Sequence, residues 1–313
     1  MLATLSSRRD FDAAWLFERK LDGVRAIAVY DDAGPHLLSR TGRTTDTTYP
    51  EVIAALAEQG SPGLTLDGEI VALNRAGRTD FSLLQQRMGL TDPRAVRASR
   101  VAVTYYVFDL LTLDGWDLTR LPLRTRKALL RAAVDFTGPL RFTPHRNHDD
   151  AHPAADQLAQ ACGRGWEGLI AKRANAPYQA RRSGDWLKLK CASGQEFVVG
   201  GFTEPAGARV GFGALLLGYH DASGALRFAG KVGTGWSDRQ LRALRERLDG
   251  LERPRTPFAA GSPRERGAHW VEPALVAQIG FSEWTRDGLL RHPRFLGLRD
   301  DKAPEEVVRE RPA

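Results

Sequence analysis

The chain has 313 residues, 42% of them hydrophobic, which is enough for two compact domains and excludes a disordered protein. Its net charge of +7 points to a polyanionic partner, and the surplus is spread over both halves rather than gathered in a tail. Two cysteines are too few for a disulfide framework or a four-cysteine zinc site and fit a reducing cytosol; no signal peptide or membrane span is expected, because no apolar run approaches about 18 residues.

From Trp15 to Lys190, short apolar runs alternate with helical patterns, which predicts an α+β domain with antiparallel sheets over residues 1–190. Strands are expected at Leu16–Arg19, Val24–Tyr30, Leu64–Val71, Val101–Asp109, Gly168–Lys172 and Trp186–Lys190, and helices at Glu51–Glu58, Phe81–Met88, Leu123–Val134 and Ala154–Cys162. Cys191-Ala192-Ser193-Gly194 reads as a flexible linker, so a second domain is expected over residues 191–313. Its strand signals are Phe197–Thr203, Ala214–Tyr219, Leu226–Val232, His269–Glu272 and Val276–Trp284, with a helix near Asp238–Leu251 and a loop over Glu252–Gly267. Short strands with one helix predict a small Greek-key barrel of the OB type.

Seven of the 45 cationic side chains are lysines, and six of them, Lys20, Lys172, Lys188, Lys190, Lys231 and Lys302, fall in short motif-like stretches. A chain that otherwise uses arginine keeps lysine where guanidinium cannot serve, as in nucleophilic attack. Lys20 opens Lys20-Leu21-Asp22-Gly23-Val24-Arg25. Taken singly, this stretch reads first as a hairpin bent at Asp22-Gly23; the functional alternative is a strand end that exposes Lys20, with Asp22 orienting it and Arg25 returning toward the same pocket. Neighbouring lysines are expected to depress the Lys20 pKa and to hold a polyphosphate.

Further along, Leu66-Asp67-Gly68-Glu69-Ile70 projects a carboxylate, Glu69, from a strand edge toward a ribose hydroxyl or Mg²⁺. Phe108, at the end of its predicted strand, offers a face for a purine. Glu167-Gly168-Leu169-Ile170-Ala171-Lys172 sets a metal-binding carboxylate, Glu167, beside a phosphate-binding cation, Lys172. In Trp186-Leu187-Lys188-Leu189-Lys190 the strand period puts both lysines on one face, an arrangement that a bound phosphate relieves. Arg299-Asp300-Asp301-Lys302 on its own is an ordinary solvated charge run.

Taken in order, Lys20–Arg25, Ser39-Arg40, Leu66–Val71, Phe108-Asp109, Glu167–Arg173, Trp186–Lys190 and Arg299–Lys302 make the chain resemble an ATP-dependent DNA ligase of the covalent nucleotidyltransferase superfamily. Phe281–Thr285, Gly288–Pro293 and Gly230–Gly235 look specifically like the ligase module of bacterial ligase D, the end-joining enzyme. The resemblance implies an adenylation domain followed by an OB domain carrying a pyrophosphate-orienting motif. By position it implies that Lys20 becomes adenylated, that Glu18 lies beside the adenine and that Phe108 stacks on it. It places Arg25 and Arg40 at ribose or nick phosphate, Glu69 and Glu167 at ribose and metal, Lys188 and Lys190 at the α-phosphate, and Arg299 and Lys302 at the departing pyrophosphate. ATP, Mg²⁺ with Mn²⁺ as a substitute, and broken duplex DNA contacted through its backbone are the expected ligands. A Ku-like end-binding protein, a separate polymerase or nuclease and a cytoplasmic site of action follow from the same likeness, since no fused processing module accompanies the motifs. An RNA ligase or mRNA-capping enzyme and a catalytically silent DNA-end-binding module are the competing readings.

Overall fold

The computed structural model describes residues 1–60, 62–149, 151–191, 194–205, 207, 209–259, 265 and 267–310. They divide into two compact units, Met1–Cys191 and Ala192–Glu310. Ala192 and Ser193 of the expected linker lie outside the described residues, as does part of the loop expected over Glu252–Gly267.

The first unit runs β1 (Leu2–Leu5), β2 (Trp15–Arg19), β3 (Val24–Asp31), β4 (Gly34–Ser39), α1 (Pro50–Ala57), β5 (Leu64–Ala72), α2 (Phe81–Gln85), α3 (Pro93–Ser99), β6 (Val103–Leu113) and β7 (Trp116–Asp117). It continues through α4 (Leu123–Ala133), β8 (Leu140–Phe142), β9 (His145–Asn147), α5 (Ala154–Gly163), β10 (Gly168–Arg173) and β11 (Arg182–Lys190). The strands form two sheets, one ordered β1-β11-β10-β2-β9, the other β4-β3-β5-β6-β7 with β8 beside β6. This is the expected α+β architecture, antiparallel except for the edge pairings of β1 with β11 and β8 with β6.

Alternation decides which faces are buried. In β3, Val24, Ala26 and Ala28 are buried while Arg25, Ile27 and Val29 are half-buried, as a period of two requires. The central strand β5 is buried on nearly every residue, and with β6 it forms the floor of a core shared with α1, α2 and α4. The other sheet packs Phe17, Leu169, Ala171, Leu187 and Leu189 against Leu158 and Ala161 of α5. Cys162 and Cys191, read from composition as fitting a reducing cytosol, instead form a disulfide with Cα atoms 5.3 Å apart, tying α5 to the chain just beyond β11.

The second unit contains β12 (Gly194–Thr203), β13 (Leu215–His220), β14 (Leu226–Val232), α6 (Asp238–Asp249), β15 (Glu252–Arg253), β16 (Ala268–Gly280), β17 (Glu283–Trp284), β18 (Leu290–Arg291) and β19 (Arg294–Leu298). The sheet order is β14-β13-β12-β16-β15 with β19 on β16, the OB-type arrangement expected, and Leu241, Leu244 and Leu248 of α6 seal its core. Ser237 caps α6 through a capping box with Gln240. Two predicted strands are one here: β16 continues through Pro273, and its register with β12 jumps so that Trp270 and Leu275 face nearly adjacent partners. The predicted strand Val276–Trp284 accordingly ends at Gly280, and Glu283-Trp284 belongs to a separate small hairpin.

Candidate active site

Lys20 directly follows β2, and its backbone N–H donates to Gly168 O at 3.0 Å. The segment after it is not a hairpin. β2 pairs with β10 and β9, whereas β3 pairs with β4 and β5, so Lys20–Gly23 carries the chain from one sheet to the other. Gly23 is needed at that crossing because a Cβ there would lie 2.1 Å from Ile70 O. Gly168 has φ +150°, and a Cβ would meet Leu189 O at 2.0 Å, so only glycine lets β10 approach β11 beside the Lys20 amide.

The Lys20 side chain is 19% exposed, and its Nζ donates to Glu167 Oε2 at 2.5 Å. Burial alone would lower its pKa, but Glu167, with Asp22 and Glu69 behind it, outweighs burial and raises it. This reverses the expectation from the sequence. The charged groups that act most strongly on the nucleophile candidate are carboxylates.

Beside Lys20 opens a cavity of about 150 Å³, lined by Glu18, Arg25, Glu69, Phe108, Thr143 and Trp186 among others. At its inner end Glu18, 2% exposed, receives two ammonium groups: Lys127 Nζ at 2.6 Å from Oε1 and Lys172 Nζ at 2.5 Å from Oε2. Burial pushes the Glu18 carboxyl up, yet the two lysines together hold it below its ordinary range. For Lys172 burial dominates; the nearby Lys127 adds to it, and the ammonium is lowered despite Glu18. Its Nζ lies 3.9 Å from the ring centre of Trp186 and 4.3 Å from that of Phe108, whose rings meet edge to face. Lys172 is therefore not paired with Glu167, as its sequence neighbourhood predicts, but lies deep among the aromatic residues.

Phe108 sits mid-strand in β6, not at a strand end, and Glu69 sits on central β5, not at an edge; both still reach the cavity because their faces do. Arg25 reaches it too, held by Asp67 through Nε to Oδ1 at 2.8 Å and Nη2 to Oδ2 at 2.5 Å, with Tyr178 Oη accepting from Nη2 at 3.0 Å. Lys188 lies opposite Ile170 and Lys190 opposite Gly168, which puts both on the cavity side of the sheet at its Lys20 end, although neither lines the cavity wall. Arg40 follows β4 and is likewise off the wall. In the second unit, Arg299 and Lys302 are no solvated run. Arg299 binds both oxygens of Asp301 at 2.8 Å, and Lys302 Nζ lies 3.1 Å from Glu196, with both cations largely buried.

A family model described as the ATP dependent DNA ligase domain matches residues 1–190, and one described as the ATP dependent DNA ligase C terminal region matches residues 208–302. The chain belongs to the ATP-dependent DNA ligase family. Among its relatives, the multifunctional non-homologous end joining protein LigD of Pseudomonas aeruginosa is 41% identical over 305 residues, covering 96% of this chain and 35% of the relative. The multifunctional non-homologous end joining DNA repair protein LigD of Mycobacterium tuberculosis is 38% identical over 317 residues, covering 99% of this chain and 39% of the relative. The chain thus spans less than two fifths of the length of these curated relatives. A solved mycobacterial DNA ligase D complexed with ATP and MES is 36% identical, covers 99% of this chain and 98% of its own, and superposes with a TM-score of 0.66.

Within this ligase-family chain, the sequence singles out Lys20, Glu18, Arg25, Glu69, Phe108, Glu167 and Lys172, and the structure gathers them all at or beside one cavity. It also adds residues that sequence reasoning passes over. Thr143 and Trp186 line the cavity, and Lys127 reaches Glu18 from α4 behind it. Trp186 stands at the head of the noticed Trp186–Lys190 run. For Lys127, the one lysine outside the motif-like stretches, that isolation was the available signal.

Proposed function

We propose that this protein is an ATP-dependent DNA ligase that seals 5′-phosphate/3′-hydroxyl breaks through a lysine–AMP intermediate, in DNA repair by end joining. The observation that carries the reading is a lysine, Lys20, at the mouth of a buried cavity with an aromatic face and a carboxylate at its inner end, in a chain whose family matches span both units. The base of ATP fits against Phe108 with its exocyclic amine toward Glu18, which directs the phosphates to Lys20. Arg25 and Arg40 serve the ribose or the nick phosphate.

Lys20 first gives up a proton, and its hydrogen bond to Glu167 marks the direction of loss. The Nζ lone pair then attacks the α-phosphorus, the bond from α-phosphorus to the bridging oxygen breaks, and pyrophosphate leaves with the electron pair. Lys188 and Lys190 stabilise the equatorial oxygens, Asp22 helps to orient Lys20, and Arg299 with Lys302 receives the pyrophosphate. In the second step a 5′-phosphate oxygen of DNA attacks the same phosphorus and the amine of Lys20 departs. In the third, the 3′-hydroxyl attacks the 5′-phosphate and AMP leaves, closing the strand.

Among the described residues no three His, Cys, Asp or Glu side chains gather into a metal site. Glu69 and Glu167, both acting on Lys20, nevertheless fit Mg²⁺ or Mn²⁺, because such ions are held by one or two carboxylates completed by phosphate oxygens and water. Held by Glu69 and Glu167, such an ion would supply charge neutralisation on the phosphates. End joining is proposed from the names of the relatives, which are much longer than this chain, and a Ku-like partner with a separate polymerase or nuclease from the resemblance of the sequence motifs alone. A cytoplasmic site of action accords with the lack, among the described residues, of any helix long and apolar enough to cross a membrane.

Incubation with Mg²⁺ and ATP labelled at the α-phosphate yields an acid-labile labelled protein, and Lys20→Arg abolishes the label. Equal labelling of Lys20→Arg overturns the assignment of the nucleophile, and unlabelled wild-type protein overturns the proposed function.

A further inference from the structure

Lys127 lies on α4, whose neighbours Arg124, Thr125 and Ala128 are exposed, so a lysine could sit on the solvent side of this helix at little cost. Its side chain is instead 1% exposed. Burial of an ammonium is unfavourable unless every donor is engaged. Here the three donors have three acceptors: Glu18 Oε1 at 2.6 Å, Thr143 O at 3.0 Å and Phe108 O at 3.4 Å. Lys127 does not line the cavity, but each of its three acceptors belongs to a residue that does. One buried cation thus ties together the carboxylate at the inner end, the backbone of the aromatic wall and the backbone of Thr143.

We propose that Lys127 is the positioning residue of the base pocket, fixing Glu18, Phe108 and Thr143 so that the cavity takes a 6-aminopurine nucleotide and rejects a 6-oxopurine one. This rests on the reading that the cavity holds the base of ATP. An ionised carboxylate only accepts hydrogen bonds: it pairs with the amine of adenine and repels the carbonyl oxygen of guanine or hypoxanthine. Each Glu18 oxygen has two lone-pair sites, so the lysines leave room for the base. Lys172 cannot supply the same fixity, since it lines the cavity and rests on aromatic rings where an incoming base can displace it. Lys127 is anchored on all sides, with the ring of Phe142 4.7 Å from its Nζ.

The test uses the full chain with Lys127→Gln, which removes the charge but keeps two donors, and Lys127→Arg, which keeps the charge but not the three-way geometry. Affinity for ATP and for inosine triphosphate is read without Mg²⁺ from tryptophan fluorescence, since Trp186 lines the cavity. Far-ultraviolet circular dichroism checks that each variant is folded. The preference for ATP is expected to fall in the order wild type, Arg, Gln, with a loss on the order of tenfold in Lys127→Gln, as for a hydrogen bond to a charged group. A wild-type preference in either folded variant overturns the proposal. Equal loss for both nucleotides is one such outcome and assigns Lys127 to general stability. Wild-type protein that prefers ATP in binding yet forms no adduct contradicts the ligase reading and leaves this one standing.

Discussion

At the residue scale the nucleophile candidate rests in its unreactive form. Glu167 and its acidic neighbours raise the pKa of Lys20 against the opposing effect of burial, so near neutral pH the ammonium dominates. Below that raised pKa the amine fraction grows about tenfold per pH unit, and attack on ATP by the free protein therefore speeds up with rising pH. Glu167→Gln removes the strongest raising influence and leaves burial less opposed, so Lys20 should titrate lower. The check is the pH dependence of Lys20 acylation by an anhydride, followed by mass spectrometry in the nucleotide-free protein. The midpoint is expected to fall in Glu167→Gln, and an unchanged or higher midpoint contradicts the role given to the pair. That Lys20 belongs with the other motif residues was legible from the sequence, but the sign of its shift was not. Sequence shows which charges are near along the chain, whereas Glu167 reaches Lys20 across 147 positions.

At the element scale, α4 holds the first unit together from inside. Arg126, fully buried beside Lys127, grips Asp109 with Nε to Oδ1 at 2.7 Å and Nη2 to Oδ2 at 2.8 Å, and Asp109 is also fully buried. Removing one partner strands a buried charge. Arg126→Met and Asp109→Asn are each expected to lower unfolding free energy by roughly 3–5 kcal/mol, measured from the urea midpoint. A change within error in both variants would mean that the pair is not what fixes α4. The same helix shows where sequence reading stops. Its bounds were legible from Leu123 and Leu130 at helical spacing, but Arg126 and Lys127 have the pattern of a solvated basic face, and only their distant acceptors draw them inward. The core strands β3 and β6 announce themselves by alternation, and β5 by a nearly continuous buried run. The edge strands β1 and β4 do not, because half-buried residues carry no clean period and Gly34-Pro35 opens β4. Pro273 made one long strand look like two, since proline removes a ladder donor and the irregular register with β12 absorbs the loss.

At the scale of the whole molecule, the two units divide the labour proposed for them. If Arg299 and Lys302 receive pyrophosphate, they matter when Lys20 reacts with ATP and have no corresponding charge to meet when a 3′-hydroxyl displaces AMP. Arg299→Ala with Lys302→Ala is expected to lose most adduct formation while retaining much of the sealing of a pre-adenylated nick. Equal impairment in both assays points to folding or DNA binding instead, and no impairment in either returns the run to an ordinary surface.

The state in which these two cations wait has its own consequence. Arg299 and Lys302 are matched by Asp301 and Glu196, so the four formal charges sum to zero. If Arg299 and Lys302 receive pyrophosphate, that anion does not simply gain two contacts but competes with two carboxylates already in place. The exchange is then between anions of similar chemistry, and its net free-energy change is small. A group that must grasp a product only while it is being expelled benefits from such indifference, because a tight grip would leave the site clogged after the first turnover.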